Sequence, residues 1–326
     1  MISKEAAAAA EMLKNGRKMR SQGKAPEGDP QFLRIQGIYA ERNMLNERAK
    51  SYVLPDKLSL EYETAEGVHG EWLRYLSQDP EKDKEKIILF AHGGGFASGS
   101  ALSRRSLAAK LALASKMDLY SLDYRQCPEY KFPAPVDDMV TVFLWLLKKG
   151  YAPQNIMLFG ESAGANLVLA LPLYLKDHYL PLPGAVCAFS PPVDMFAKYD
   201  SRITKLKTDA MIGADFDDSE IPKMLEELRA QTEPRDSLYC SAQEVYSPYA
   251  SPIRGDLSGF PRLMIQVGEL EPLYDDAVDL AAKAKAAGVE VVYHEWEGLF
   301  HVFALFDCPE TTEVCQEIAQ FFKGGN

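Results

Sequence analysis

The chain has 326 residues, 47% of them apolar and 25% charged, which are ordinary proportions for a globular protein with room for a sizeable core. A formal net charge of −11 argues against nucleic acid and against an anionic membrane as partners, and no apolar run is long enough to predict a transmembrane helix. The five cysteines (Cys127, Cys187, Cys240, Cys308 and Cys315) are scattered, odd in number and form no C-x-x-C, which points to a reduced, cytoplasmic compartment.

Residues 3–15 read as a helix that Ser3 caps and Gly16 ends. Its alanine run lies between charges and lacks the apolar core of a signal peptide. The composition of "RSQGKAPEGDP" (20–30) predicts a loop. From Pro30, Phe32, Ile35, Tyr39 and Arg42 recur at helical spacing with Ile38 beside them, giving a helix with one apolar face. Residues 1–50 are therefore an N-terminal helical cap segment seeking a surface to cover.

The pattern then changes. "LSLEYET" and "HGEWLRYL" alternate as the two strands of a hairpin, and "KIILFA" is a continuous apolar run of the kind buried on both faces. A helix near 101–115, the strand "DLYSLDY", a helix near 134–149, the strand "NIMLFG", a helix from Ser162 and the strand "GAVCAFS" follow. After an interval come "PRLMIQVG", a helix over 274–287, "VEVVYHEW" and a last helix near 310–323. Strand and helix in alternation predict an α/β fold with a mostly parallel sheet and helices on both faces. The core divides into 51–194 and 249–326. Residues 195–248 break the rhythm. Ile221, Met224, Leu225 and Leu228 mark an amphipathic helix there, and the interval reads as a helical cap insertion over the end of the sheet. Pro172 falls within the helix from Ser162 and should kink or end it.

The chemistry lies in two of the strand-to-helix junctions. "GESAG" sets Ser162 between Gly160 and Gly164, after a strand and before a helix, which is the context a G-x-S-x-G nucleophile elbow requires. The glycines remove side chains that would collide in so tight a turn, and the helix N-terminus favours developing negative charge. Attack of a serine on an ester carbonyl creates an oxyanion that needs donors fixed in advance. "HGGGF" (92–96) supplies bare backbone at the end of a buried strand. Side chains at Gly94 and Gly95 would obstruct the substrate oxygen, and their N–H groups with that of Ala163 are the candidate oxyanion hole.

Taken together, "HGGGF", "DYRQCPEYKFPAP" (123–135), "GESAGAN" (160–166), "SPPVDM" (190–195), "VGELEPLYDD" (267–276) and "GLFHVF" (298–303) resemble, in order, the hormone-sensitive-lipase-like branch of the α/β-hydrolase fold, which includes many microbial carboxylesterases. The resemblance runs from about residue 86 to the end and reaches residues 1–50 only as a variable helical cap. It implies that His301, in a loop past a late strand, is the catalytic base. The other histidines are His69 in the hairpin, His178 after a helix, His294 within a strand, and His92, which would brace the glycine loop. The acid position, usually aspartate in G-x-x-D-P-L, falls here on Glu271 of "GELEPL", with Glu269, Asp275 and Asp276 as neighbours that a shifted turn would bring forward. Asp123, Arg125 and Glu129 read as a structural ion-pair network below the site, Glu161 as structural, and Asp137–Asp138 as part of a helix face. No histidine and carboxylate cluster has metal-ligand spacing, so neither a metal nor a cofactor is expected.

The expected function is a serine carboxylesterase acting through an acyl-enzyme on small-molecule esters, of short to medium acyl chain by family resemblance. An amidase or aminopeptidase of the same fold, and a deacetylase of sugars or natural products, would carry the same triad. A non-catalytic ligand receptor is disfavoured by the presence of serine, acid and histidine together. The assembly is left open, with a homodimer as one candidate.

Overall fold

An eight-stranded sheet runs in the order β1-β2-β4-β3-β5-β6-β7-β8. Its strands are β1 (Leu58–Ala65), β2 (Val68–Tyr75), β3 (Ile87–Ala91), β4 (Asp118–Leu122), β5 (Ile156–Glu161), β6 (Ala185–Phe189), β7 (Leu263–Gly268) and β8 (Val291–Trp296). The computed structural model describes residues 2–21, 28–77 and 86–324. β1 and β2 form an antiparallel hairpin, β2 pairs antiparallel with β4, and β3 to β8 are parallel to one another. The hairpin turns on Glu66 and Gly67, both at positive φ (51° and 98°), as a two-residue primed turn demands.

The apolar runs are continuous because both faces of the sheet are covered. In β3, Ile87, Leu89 and Ala91 enter one buried cluster, and Ile88 and Phe90 enter the other. β5 divides in the same way, with Ile156 and Leu158 on one side and Met157 and Phe159 on the other. Helices α4 (Ala134–Lys148), α5 (Ala163–Asp177) and α8 (Tyr274–Ala286) cover the first face, while α3 (Ala101–Ser115) and α9 (Pro309–Lys323) cover the second. The predicted positions of these core elements match those observed. α5 does not end at Pro172 but runs through it to Asp177, with Pro172 itself buried.

The N-terminal helices depart further from expectation. α1 (Lys4–Ser21) starts where predicted, with Ser3 Oγ accepting from Ala6 N at 3.1 Å, but it continues past Gly16. A glycine inside a helix costs only about 1 kcal/mol. Arg17, one residue on, has partners elsewhere in the fold: it donates to Asp209 O (2.9 Å) and pairs with Asp215 (3.1 Å). The predicted loop 20–30 is thus shortened by α1, and residues 22–27 lie outside the described residues. α2 (Pro30–Ala49) is capped by Asp29, whose side chain accepts from Phe32 N at 2.9 Å. None of its residues is fully buried. Ile38 packs on the core, while Phe32 and Tyr39 of the predicted apolar face stay exposed. Within 195–248 the structure has no strand among the described residues, but the short α6 (Ser201–Thr204), the expected α7 (Ile221–Ala230), two 3-10 turns (Asp218–Glu220 and Glu244–Tyr246) and irregular chain. No helix among the described residues is long and apolar enough to cross a membrane.

Candidate active site

β3 has β4 on one side and β5 on the other, so the sheet order reverses there and leaves a crevice beyond the strand ends. Ala91 lies opposite Gly160 across the β3–β5 ladder. The loop after β3, which is "HGGGF", is therefore set beside the turn after β5, which carries Ser162.

Ser162 has φ 53° and ψ −122°, a strained conformation held by its surroundings. A Cβ on Gly160 would sit 2.3 Å from Gly164 O, and one on Gly164 only 1.9 Å from Ala91 O. Both glycines are thus required by backbone packing. In the neighbouring loop, Gly93 N donates to Glu161 Oε1 (2.5 Å), which also accepts from the buried Arg104 (2.8 Å). His92 braces the same loop. Its Nδ1–H donates to Gly93 O (2.9 Å), its carbonyl accepts from Tyr124 OH (2.9 Å), and its ring stacks on Tyr124. Burial pushes the His92 pKa down to about 3, so the imidazole is neutral at neutral pH. The backbone adds reasons of its own for Gly94 and Gly95. A Cβ on Gly94 (φ 122°) would strike Ser98 O at 2.1 Å, within the loop itself, whereas Gly95 faces open space and has a φ of 60°, in the left-handed region that favours glycine. The amides of Gly94, Gly95 and Ala163 donate to no acceptor among the described residues.

The other loops are stitched to this one. Ser162 N donates to Phe189 O at the end of β6, Ser190 N to Gln266 O in β7, and Leu270 N to Leu299 O beyond β8. The stitching brings His301 Nε2 to 2.9 Å from Ser162 Oγ. His301 Nδ1 lies 3.4 Å from Glu271 Oε2, an ion-pair separation that is long for a hydrogen bond. Glu271 is fully buried, and Oε2 accepts from Ser190 Oγ at 2.7 Å. Burial pushes the Glu271 pKa upward, opposed by His301 and Ser190. For His301, burial works downward, but the Glu271 charge and contact outweigh it, with Asp209 and Glu161 acting in the same sense, and the pKa is raised.

The alternative acids are occupied elsewhere. Glu269 accepts from Gly298 N (2.7 Å), Asp275 from Ser201 N (2.9 Å), and Asp276 pairs with Arg202 (2.6 Å). His69 contacts Thr64, His178 contacts Tyr174 O, and His294 contacts Glu317, all away from Ser162. The expected Asp123–Arg125–Glu129 network does not form, because each side chain meets a different partner. Asp123 accepts from Ala101 N at the start of α3 (2.7 Å), and burial raises its pKa to about 6. Arg125 pairs with Asp138 (2.7 Å), and Glu129 with Arg42 of α2 (2.7 Å). Two residues at the site went unread in the sequence. Ser190, at φ 53°, heads the "SPPVDM" segment directly after a strand, a position that could have drawn notice. Asp209, which accepts from His301 N at 2.7 Å, lies in irregular chain with no motif to mark it. Among the described residues, no group of three or more His, Cys, Asp or Glu could hold a metal ion.

Comparison with known proteins bears on this arrangement. The sequence profile of a family described by the alpha/beta hydrolase fold matches residues 88–305. The chain belongs to the α/β-hydrolase family. The hydrolase is 37% identical over 234 residues to an acetyl-hydrolase of Streptomyces hygroscopicus, covering 72% of each chain. It is 31% identical over 257 residues to an esterase of Acinetobacter venetianus, covering 78% of each. Among solved structures it is similar to an esterase from the bacterial hormone-sensitive lipase family, with a TM-score of 0.81, 30% identity, and 99% and 98% of the two chains covered. The resemblance read from the motifs is thus borne out at the level of branch and fold, and the hydrolase is a carboxylic ester hydrolase.

Proposed function

We propose that the hydrolase cleaves small esters by nucleophilic catalysis, with Ser162 as nucleophile, His301 as general base and acid, and Glu271 as the carboxylate that orients and stabilises the imidazolium. The observation that carries this reading is the 2.9 Å approach of His301 Nε2 to an Oγ raised on a strained turn. Ser162 Oγ attacks the acyl carbon as its proton passes to Nε2. The carbonyl oxygen becomes an oxyanion facing the amides of Gly94, Gly95 and Ala163, where one fixed donor contributes on the order of 3 kcal/mol to the transition state. Collapse of the intermediate expels the alkoxide, which takes the proton from Nε2 and leaves as alcohol. Water then gives its proton to the same nitrogen as it attacks the acyl-serine, and when the acyl–Oγ bond breaks Nε2 returns that proton to Ser162 Oγ, releasing the acid.

The substrates are short- to medium-chain esters, a reading supported by the acetyl-hydrolase among the relatives. Residues 1–50 and 195–248 act as the cap that selects them. A cytoplasmic location is supported by five buried, unpaired cysteines. The test is Ser162→Ala, assayed on p-nitrophenyl esters from acetate to palmitate. Turnover and fluorophosphonate labelling should vanish while the fold persists by circular dichroism. Retained turnover in the variant refutes the nucleophile, and a wild-type optimum on the longest chains refutes the substrate class.

A further inference from the structure

We propose that Asp209, carried by the cap insertion, is a positioning residue for His301 in ester hydrolysis, holding the loop of the base through its main chain. The inference rests on the reading of His301 as general base.

Asp209 is fully buried, and both carboxylate oxygens are committed. Oδ1 accepts from Met211 N and Ile212 N, each at 2.7 Å, which folds its own turn. Oδ2 reaches across to His301 N at 2.7 Å. A local turn needs only the first oxygen, so the second makes the link from cap to base. The far side of the turn is tethered as well: Arg17 of α1 donates to Asp209 O and pairs with Asp215. The loop passes so close to Arg17 that a Cβ on Gly213 would lie 2.5 Å from its guanidinium. The same insertion grips the loop of the acid. Thr208 Oγ1 donates to Leu270 O (3.0 Å), Ser201 Oγ to Pro272 O (2.8 Å), and Lys205 Nζ to Glu269 O. The cap therefore supports both loops that must converge on Ser162.

Asp209 also carries charge. The carboxylates that raise the His301 pKa come from three elements: Glu271 beyond β7, Asp209 in the insertion and Glu161 at the end of β5. The imidazolium formed as Ser162 loses its proton is stabilised by Asp209 as well as by Glu271. This electrostatic part separates the positioning role from a purely structural one.

Asp209→Asn keeps the size and an acceptor but removes the charge. Its kcat/KM should fall about tenfold with KM little changed, because the base is misplaced without loss of substrate contacts. The acid limb of the kcat/KM profile should move to lower pH, since the neutral imidazole persists further into acid once a neighbouring negative charge is gone. Arg17→Met, which loosens the turn but keeps the Asp209 carboxylate, should lower kcat/KM by a smaller factor and move the limb less than Asp209→Asn does. An Asp209→Asn enzyme with wild-type kcat/KM and an unmoved limb overturns the proposal. So does wild-type activity in Arg17→Met should Asp209→Asn fail to fold. Ser162→Ala in the same assay separates the two readings: if it is inactive while Asp209→Asn is unaffected, only the role of Asp209 fails.

Discussion

β3, β5, β6 and β7 bury every residue, whereas α2 and α7 bury none. The strands are held by apolar burial on both faces, worth about 25 cal/mol per Å², and by continuous backbone ladders. α2 is held by Ile38 against the core and by a few polar contacts at defined points. Arg42 alone joins α2 to Ala97 O (2.7 Å), Cys127 O (2.5 Å) and Glu129, and Asn46 Oδ1 accepts from Ser100 Oγ at 2.6 Å. Two of these contacted residues, Ala97 and Ser100, border the glycine loop. Damage to the strand frame should therefore appear as lost stability, and damage to the cap as altered turnover or substrate binding.

The largest effect should come from the frame. Gly164→Ala sets a methyl 1.9 Å from Ala91 O, where the nearest atoms are main chain of Ala91 and His92 and no flexible side chain can yield. Overpacking of this kind should cost about 3 kcal/mol or more. Denaturant unfolding would show a lower midpoint at similar slope, and an unchanged midpoint would mean that the β3 loop and the elbow are not packed as described.

The same contrast explains what could be read from the sequence. Ile87 to Ala91 read as a two-face strand because five apolar residues in succession, too few for a typical helix, suit burial on both sides of a sheet. Because β3 and β5 are neighbours, "HGGGF" and "GESAG" meet through strand pairing, and the site inherits the legibility of the sheet. The cap gives no such signal. Arg17 carries α1 past Gly16 through contacts with the turn of Asp209, about which local propensity says nothing. Asp209 meets His301 across 92 positions of chain from an irregular segment, and no periodicity marks that pairing. Ser190 is intermediate, since it ends a predicted strand but owes its role to Glu271 reaching it at 2.7 Å. Pro172 shows a local rule overridden by burial in the core.

On the cap side, Arg42→Ala removes donors from two carbonyls and the partner of Glu129 without opening a cavity in the core. The Glu129 end is 37% exposed, so the pair itself contributes little stability. The expected outcome is a melting temperature within a few degrees of wild type and a severalfold higher KM for a p-nitrophenyl butyrate probe, with kcat less affected. A large loss of melting temperature at unchanged KM would reverse the comparison and make α2 part of the frame.

The smallest and most discriminating effect is in acid. The contact with Arg42 holds the Glu129 pKa down at about 2, against an ordinary value of 4.5. A carboxylate depressed in the folded state adds stability that is complete above 4.5 and is lost as the pH falls toward about 2. His92, in the frame, is neutral in the fold down to about 3 but would take up a proton near 6.5 when unfolded, so its contribution begins to fade as the pH drops below 6.5. The frame should therefore begin to weaken at a higher pH than the one at which the Arg42–Glu129 contact opens. Hydrogen exchange at pH 5, corrected for intrinsic rates, should show α2 less protected in Glu129→Gln than in wild type, with β3 and β5 alike in the two. Equal protection of α2 in both proteins would mean that the helix is held by something other than this ion pair.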